Sequence, residues 1–362
     1  MRNIIKFLSV FICLFISFNI CSYAEDAEEE PSIELETRAF QLGFITPLGT
    51  NGWDSWNIVN KFSLNMLAGY AGGIDGAEFS GLGSVLRTHM KGAQFSGLGN
   101  IVMGETRGAQ FAGFMNIDHG PVKGAIFAGF LNFSGREMRG GQFAGFANIN
   151  TGSTHGTQFA GFTNISTGTT YGAQVAGFFN YSEVMRGVQI GVINYADSVE
   201  KGVPIGFLSF VKKGYRAFEI SANESIYGLS SFKTGTSSFY NILSIGRGYR
   251  KERSLFAWGW GVGTLIALAD KFDIAVEGQG LHVNEGEWFT NGTNVLAKAG
   301  VTLAWNVAEH FTVFWGPSWN VAVSNIKKEN GSAIAPWSVF DETTQGGINI
   351  KMYPGLTAGI RL

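Results

Sequence analysis

The stretch GAQFAGFMNIDHGPVK (108–123) returns in altered form as GTQFAGFTNISTGTTY (156–171) and, one residue shorter, as GVQIGVINYADSVEK (187–201). Its opening glycine recurs at positions 76, 92, 108, 124, 140, 156, 172, 187 and 202, giving six intervals of 16 residues and then two of 15. A fixed period of this kind marks a repeat architecture, in which each unit is stable only against its neighbours. The columns of the repeat are regular. One holds Phe79, Phe95, Phe111, Phe127, Phe143 and Phe159, then Val175, Ile190 and Ile205. A second glycine column runs from Gly81 to Gly206, followed at once by an apolar column from Leu82 through Phe114 to Phe207. An asparagine column runs from Asn100 to Asn194, and a glutamine column from Gln94 to Gln189.

Sixteen residues are too few for a membrane hairpin, whose strands need about 9–11 residues each. If each unit were one strand of a meander, the same motif would alternate in direction and meet inconsistent surroundings. A β-solenoid satisfies the pattern, because identical residues then stack on themselves at about 4.8 Å. Nine coils at that spacing make a rod of about 43 Å. In the short unit, Val188, Ile190 and Val192 fall on one face, with Gln189, Gly191 and Ile193 on the other. In the longer units an extra residue such as Ala112 enters between Phe111 and Gly113, as a bulge would. Hydrophobic burial then places the phenylalanine columns inside a narrow coil and the glutamines on its exposed face. The glycines supply the tight corners, and the amide columns form ladders or cap the turns.

The last position of each unit forms a basic stripe. Lys91, Arg107, Lys123, Arg139, Arg186 and Lys201 occupy it, with His155 and Tyr171 between. These cations are candidate contacts for a polyanion such as an anionic polysaccharide or lipopolysaccharide, or else a solvated row that discourages sheet stacking.

The chain has 362 residues with 51 glycines, about twice the ordinary share of roughly 7 %. Hydrophobic residues make up 45 % and charged residues 15 %, which excludes wholesale disorder. Residues 1–24 read as a secretory signal: Arg2 and Lys6, the apolar run Phe7–Ile20, then Ser22-Tyr23-Ala24 with cleavage before Glu25. Cys21 offers a lipidation site instead, though Ile20 stands where a small residue is wanted. Both cysteines, Cys13 and Cys21, lie in this segment, so the processed chain is expected to carry no disulfide. Without Arg2 and Lys6, 24 basic residues face 28 acidic ones, which gives no case for nucleic acid. Residues 25–37 are an acidic leader.

All nine tryptophans fall outside the repeat. After about Tyr215 the segments are longer and alternate, as in Phe272–Val283, Ala297–Asn306 and the end GLTAGIRL (355–362). Such segments with clustered tryptophan suit an antiparallel β-barrel with an aromatic girdle, or a soluble sheet capping the rod. The expected order is barrel-like strands over 38–75, β-solenoid repeats over 76–214 and an antiparallel β-barrel-like region over 215–362, an all-β chain throughout.

The Gly-x-Gln-φ-Gly-φ-φ-Asn unit, clearest in GVQIGVINYADSVEKGVPIGFLSFVKKGY (187–215), resembles the surface-repeat proteins of Gram-negative bacteria. The stretches FQLGFITPLGTNG (40–52) and FSLNMLAGYAGG (62–73) fit the same resemblance. It implies an outer-membrane or cell-surface location and no particular reaction. This chain departs in its Phe-rich units of 16 residues, where shorter aliphatic units are common.

Chemistry is sparse. The five histidines form no paired zinc motif, no Gly-x-Ser-x-Gly elbow occurs, and GWGVG (259–263) lacks the spacing and lysine of a phosphate loop. Asp118, Glu183 and Asp197 sit in separate turns, so no carboxylate pair emerges. No catalytic, cofactor or metal residue is expected. The expected function is a non-enzymatic outer-membrane or cell-surface protein in contact with outer-membrane lipid, its solenoid presenting a binding or shielding surface. The alternatives are a channel or lipid-handling barrel with the solenoid as plug or cap, and a soluble secreted carbohydrate binder.

Overall fold

The computed structural model describes residues 35–250, 252–287, 289, 292–325 and 334–362. The signal, the Cys21 site and nearly all of the acidic leader lie outside the described residues. Within them the chain is all-β: a parallel β-solenoid of about nine turns, then an antiparallel sheet closed on itself.

The solenoid stacks like on like. Gly108 pairs with Gly92 and Gly124, Phe111 with Phe95 and Phe127, and Asn116 with Asn100 and Asn132. Each coil has one longer strand, such as Glu105–Ala112, a bend at Gly113-Phe114, and a shorter strand, Met115–Asp118. The opening glycine is required by geometry. At Gly124 φ is +147°, and a Cβ there would stand 1.8 Å from the carbonyl oxygen of Gly108 one coil below. Only glycine permits that approach.

Residues 38–75, expected as barrel-like strands, join the solenoid instead. Glu36–Ile45 pairs in parallel with the first half of Ile58–Ser80, whose second half pairs in parallel with Gly83–Ser96. Gln41, Asn51, Asn60 and Asn65 hydrogen-bond among themselves across this end, closing the rod's interior with amides.

The expected sidedness of the coil is inverted. The glutamines and asparagines of the ladders are fully buried, while Phe79, Phe114, Phe130 and Phe159 are each about two-fifths exposed. Strand alternation does separate the two sets, but amides fill the interior and phenyl rings stack outside. The physical reason is saturation. Asn132 donates to Oδ1 of Asn148 (2.9 Å) and to the carbonyl of Phe143 (2.8 Å), and accepts from Asn116 (2.9 Å). The same bonds repeat from Asn100 to Asn194. In a buried amide with its donors and acceptor bonded, those bonds offset the cost of desolvation. Apolar side chains such as Met90, Val122, Ile126 and Met138 fill the remainder.

The second part is a nine-stranded antiparallel sheet in which Tyr215–Asn223 pairs with Asn349–Arg361, closing the ring. The short strand Phe340–Thr343 pairs only with Asn349–Arg361, which leaves eight strands in the ring. Those strands run from 9 to 17 residues. Outward positions are apolar, including Ile245, Trp258, Trp305, Trp315 and Trp319. Inward, Lys233 meets Glu219 (2.7 Å) and Glu277, and Arg361 meets Glu219 (2.6 Å). Toward the other end Leu255, Leu281, Leu296 and Tyr353 pack around Ile334 and Ala335 of the long connection. An eight-stranded barrel has just room for such a filling.

The solenoid ends on the barrel's outer wall. Asn241 alternates with the inward Tyr240 and Ile242, so it points outward, yet it is fully buried. Its Oδ1 accepts from the backbone N–H of Ser209 (2.7 Å), and its Nδ2 donates to the carbonyl of Gly206 (2.9 Å). Trp260 stacks on Phe207 at 5.5 Å with 13° between planes. Asn241 thus bonds the backbone of the last coil, where Ser209 stands in the asparagine column, and Trp260 caps the apolar column that ends at Phe207.

Candidate functional site: an apolar groove beside a basic stripe

The extra residue of each 16-residue unit, read as a bulge, has a larger consequence. It forms the floor of a groove along the rod. Phe79 to Phe159 and Val175 make one wall, and the floor is the inserted column (Ser80, Ser96, Ala112, Ala128, Ala144, Ala160, Ala176) with the second glycine column beside it. The groove holds about 1110 Å³ and ends at Gly177. The next unit, GVQIGVINY, lacks the inserted residue. The wall is a continuous stack: Phe95, Phe111 and Phe127 lie 4.8 Å apart within 3° of parallel.

The basic stripe runs beside it, four residues earlier on the same strands, with Arg107 separated from Phe111 by the positive-φ Gly108 and about 13 Å of strand. Its charges are partly paired. Asp75 meets Lys91 at 3.5 Å and His89 at 3.0 Å, and Glu137 meets Arg139 at 3.0 Å and His155 at 3.2 Å. Glu105 is shared by Arg107 (2.8 Å) and Lys123 (2.9 Å), and these two cations hold its carboxyl down to about 2. Arg186 pairs with Glu200. Lys201 is exposed at the same register. The row of cations is interrupted at His155 and Tyr171, and within it only around Glu105 do two permanent cations face one carboxylate. The glutamine column, expected as an exposed contact surface, is interior and contacts nothing outside. The Phe–Ala–Gly groove has one signal in the sequence, the one-residue difference between the long and short units.

Among the described residues no group of three or more potential metal ligands occurs. Among the same residues two acids of the rod are fully buried, and burial raises the pKa of both; Glu78 accepts from Ser63, Asn65, Ser84 and Gln94, whereas Asp118 is short of partners. Asp118 is fully buried, and Thr106 donates to its Oδ1 at 2.5 Å. Its Oδ2 and the Oε1 of neighbouring Gln110 both lack a donor. A proton on the carboxyl supplies that donor, and burial pushes its pKa up to about 7. The folded chain thus holds a proton that the unfolded chain releases near pH 4. Stability is expected to fall as pH rises from about 4 to 7 and to level off above, by up to about 4 kcal/mol. Asp118→Asn should make that slope shallower in thermal melts across pH, leaving the share of Glu78. An unchanged slope would contradict the assignment.

A scan against protein-family models found no match, and searches of curated proteins and of solved structures found none either.

Proposed function

We propose that the protein is a non-enzymatic outer-membrane protein whose barrel is an anchor and whose solenoid is a binding rod. The observation that carries this reading is the polarity of the barrel, apolar outside and charged within. That arrangement is stable in hydrocarbon, where a closed ring leaves no backbone group unpaired. The filled lumen argues against the channel alternative. The cavity beside Glu219, Glu277 and Lys298 is about 20 Å³, room for about one water. The outward tryptophans argue against the soluble alternative.

The connections suggest a side. At the end where the chain leaves the solenoid they are 237–238, 270–271 and 309–310; at the other end they reach 286–293 and 325–339. Outer-membrane barrels keep short turns toward the periplasm and longer loops outside. On this reading the solenoid is periplasmic rather than surface-displayed. The test is protease treatment of intact cells and of cells with a permeabilised outer membrane, with heat-modifiable gel mobility as the check on the barrel. The solenoid should be cleaved only after permeabilisation, and the unboiled barrel should migrate faster than the boiled one. Cleavage of the rod on intact cells would reverse the side. Identical mobility without need of detergent would remove the anchor.

A further inference from the structure

We propose that the Phe–Ala–Gly groove binds lipid: the rod lies along the membrane that holds the barrel, and acyl chains of anionic lipids occupy the groove. This rests on the reading of the barrel as a membrane anchor.

Three observations converge on that occupant. The first is chemistry. Apart from Asn65, Ser80 and Ser96 at its start, the groove is lined by phenylalanine, alanine and glycine, with Leu64, Met66 and Val175 at its ends. Its backbone is already paired, with Gly113 N–H on the carbonyl of Ser96 and Gly129 N–H on that of Ala112. A peptide strand would find no free donors or acceptors, so β-augmentation is closed to it. What fits is a long unbranched apolar chain. From Phe79 to Phe159 the ring stack spans about 25 Å, comparable with the roughly 30 Å hydrocarbon core of a bilayer and longer than one leaflet.

The second is charge. Arg107 and Lys123 share Glu105 four residues before Phe111 and Phe127 on the same strands, which leaves one net positive charge beside the middle of the groove, about 13 Å along the strand. A chain lying in the groove with an anionic headgroup would meet that charge.

The third is direction. In a solenoid the backbone N–H groups point along the rod. The N–H of Ser209 is received by Asn241, whose side chain stands out from the barrel wall. Trp260, also outward, stacks on Phe207 of the last coil. The rod axis therefore meets the wall near its normal, which lies in the plane of a membrane that the barrel spans. A rod leaving the wall in that direction runs beside the lipid surface rather than away from it.

The experiment uses the full chain refolded into phosphatidylcholine vesicles containing phosphatidylglycerol with a photoreactive acyl chain, with adducts mapped by peptide. Adducts are expected in residues 108–145 and on outward barrel positions such as Trp258. Phe127→Glu should cut the solenoid adducts about tenfold, because it puts a charge into the apolar groove, while leaving barrel adducts unchanged. Phe127→Leu should restore them. Arg107→Gln with Lys123→Gln should abolish the preference for phosphatidylglycerol over a photoreactive phosphatidylcholine. Adducts on the barrel alone would overturn the inference and leave the anchor standing. Adducts on neither part would remove both. Solenoid adducts indifferent to Phe127→Glu would show that the groove is not the site.

Discussion

Asn132→Ala is expected to destabilise the solenoid by about 3–5 kcal/mol, and Phe111→Ala by about 1 kcal/mol or less. The asparagine donates to Asn148 and to the Phe143 carbonyl and accepts from Asn116. Its removal leaves the Asn148 oxygen and an Asn116 amide hydrogen buried without their partners, at about 1–3 kcal/mol for each unsatisfied group, with a small cavity besides. Phe111 stacks between Phe95 and Phe127 but faces out, so its truncation removes ring contacts and opens no internal void. Chemical denaturation of the two variants gives the comparison. The opposite order, with the phenylalanine costing more, would return the rings to the interior.

Gly124→Ala should be at least as damaging, about 4 kcal/mol or more. The new methyl would overlap the Gly108 carbonyl at 1.8 Å, on a backbone with φ of +147°. Both the contact and the conformation are ones an L side chain cannot relieve locally, so two coils must separate. In a structure where each coil touches only its neighbours, the damage should be regional. Amide exchange should accelerate over about 108–140 while barrel amides stay protected. Gly278→Ala is the control, because a Cβ there meets nothing within 4 Å. Uniform protection in Gly124→Ala would contradict the stacking of these glycines.

The 16-residue period made the solenoid readable, because nothing else lets Gly108, Phe111 and Asn116 recur together in register. The long alternating strands after Tyr215 made the antiparallel sheet readable in the same way. What misled was polarity. Alternation assigns Phe111 and Gln110 to opposite faces but does not say which face is inside, and the usual preference for buried rings decided wrongly. The asparagine column carries the contrary signal, since it tolerates no exception from Asn100 to Asn194 while the phenylalanine column drifts to valine and isoleucine. The segments 38–75 misled for a related reason. Strands of one length and composition serve a first coil and a barrel alike, and only pairing direction separates them. The groove was present in the alignment of units as one extra residue, but its shape depends on the bend at Gly113, which no pattern of polarity describes.

The reading of the barrel as a membrane anchor is tested most directly by its own tryptophans. Trp258, Trp305, Trp315 and Trp319 are each about half exposed on its outer wall. In vesicles whose lipids carry brominated acyl chains, the emission of the full chain should be strongly quenched relative to ordinary vesicles, and Trp258→Phe with Trp315→Phe should remove a large part of the quenched signal. Emission equal in the two kinds of vesicle, from a chain that stays folded, would place that wall in water and contradict the anchor.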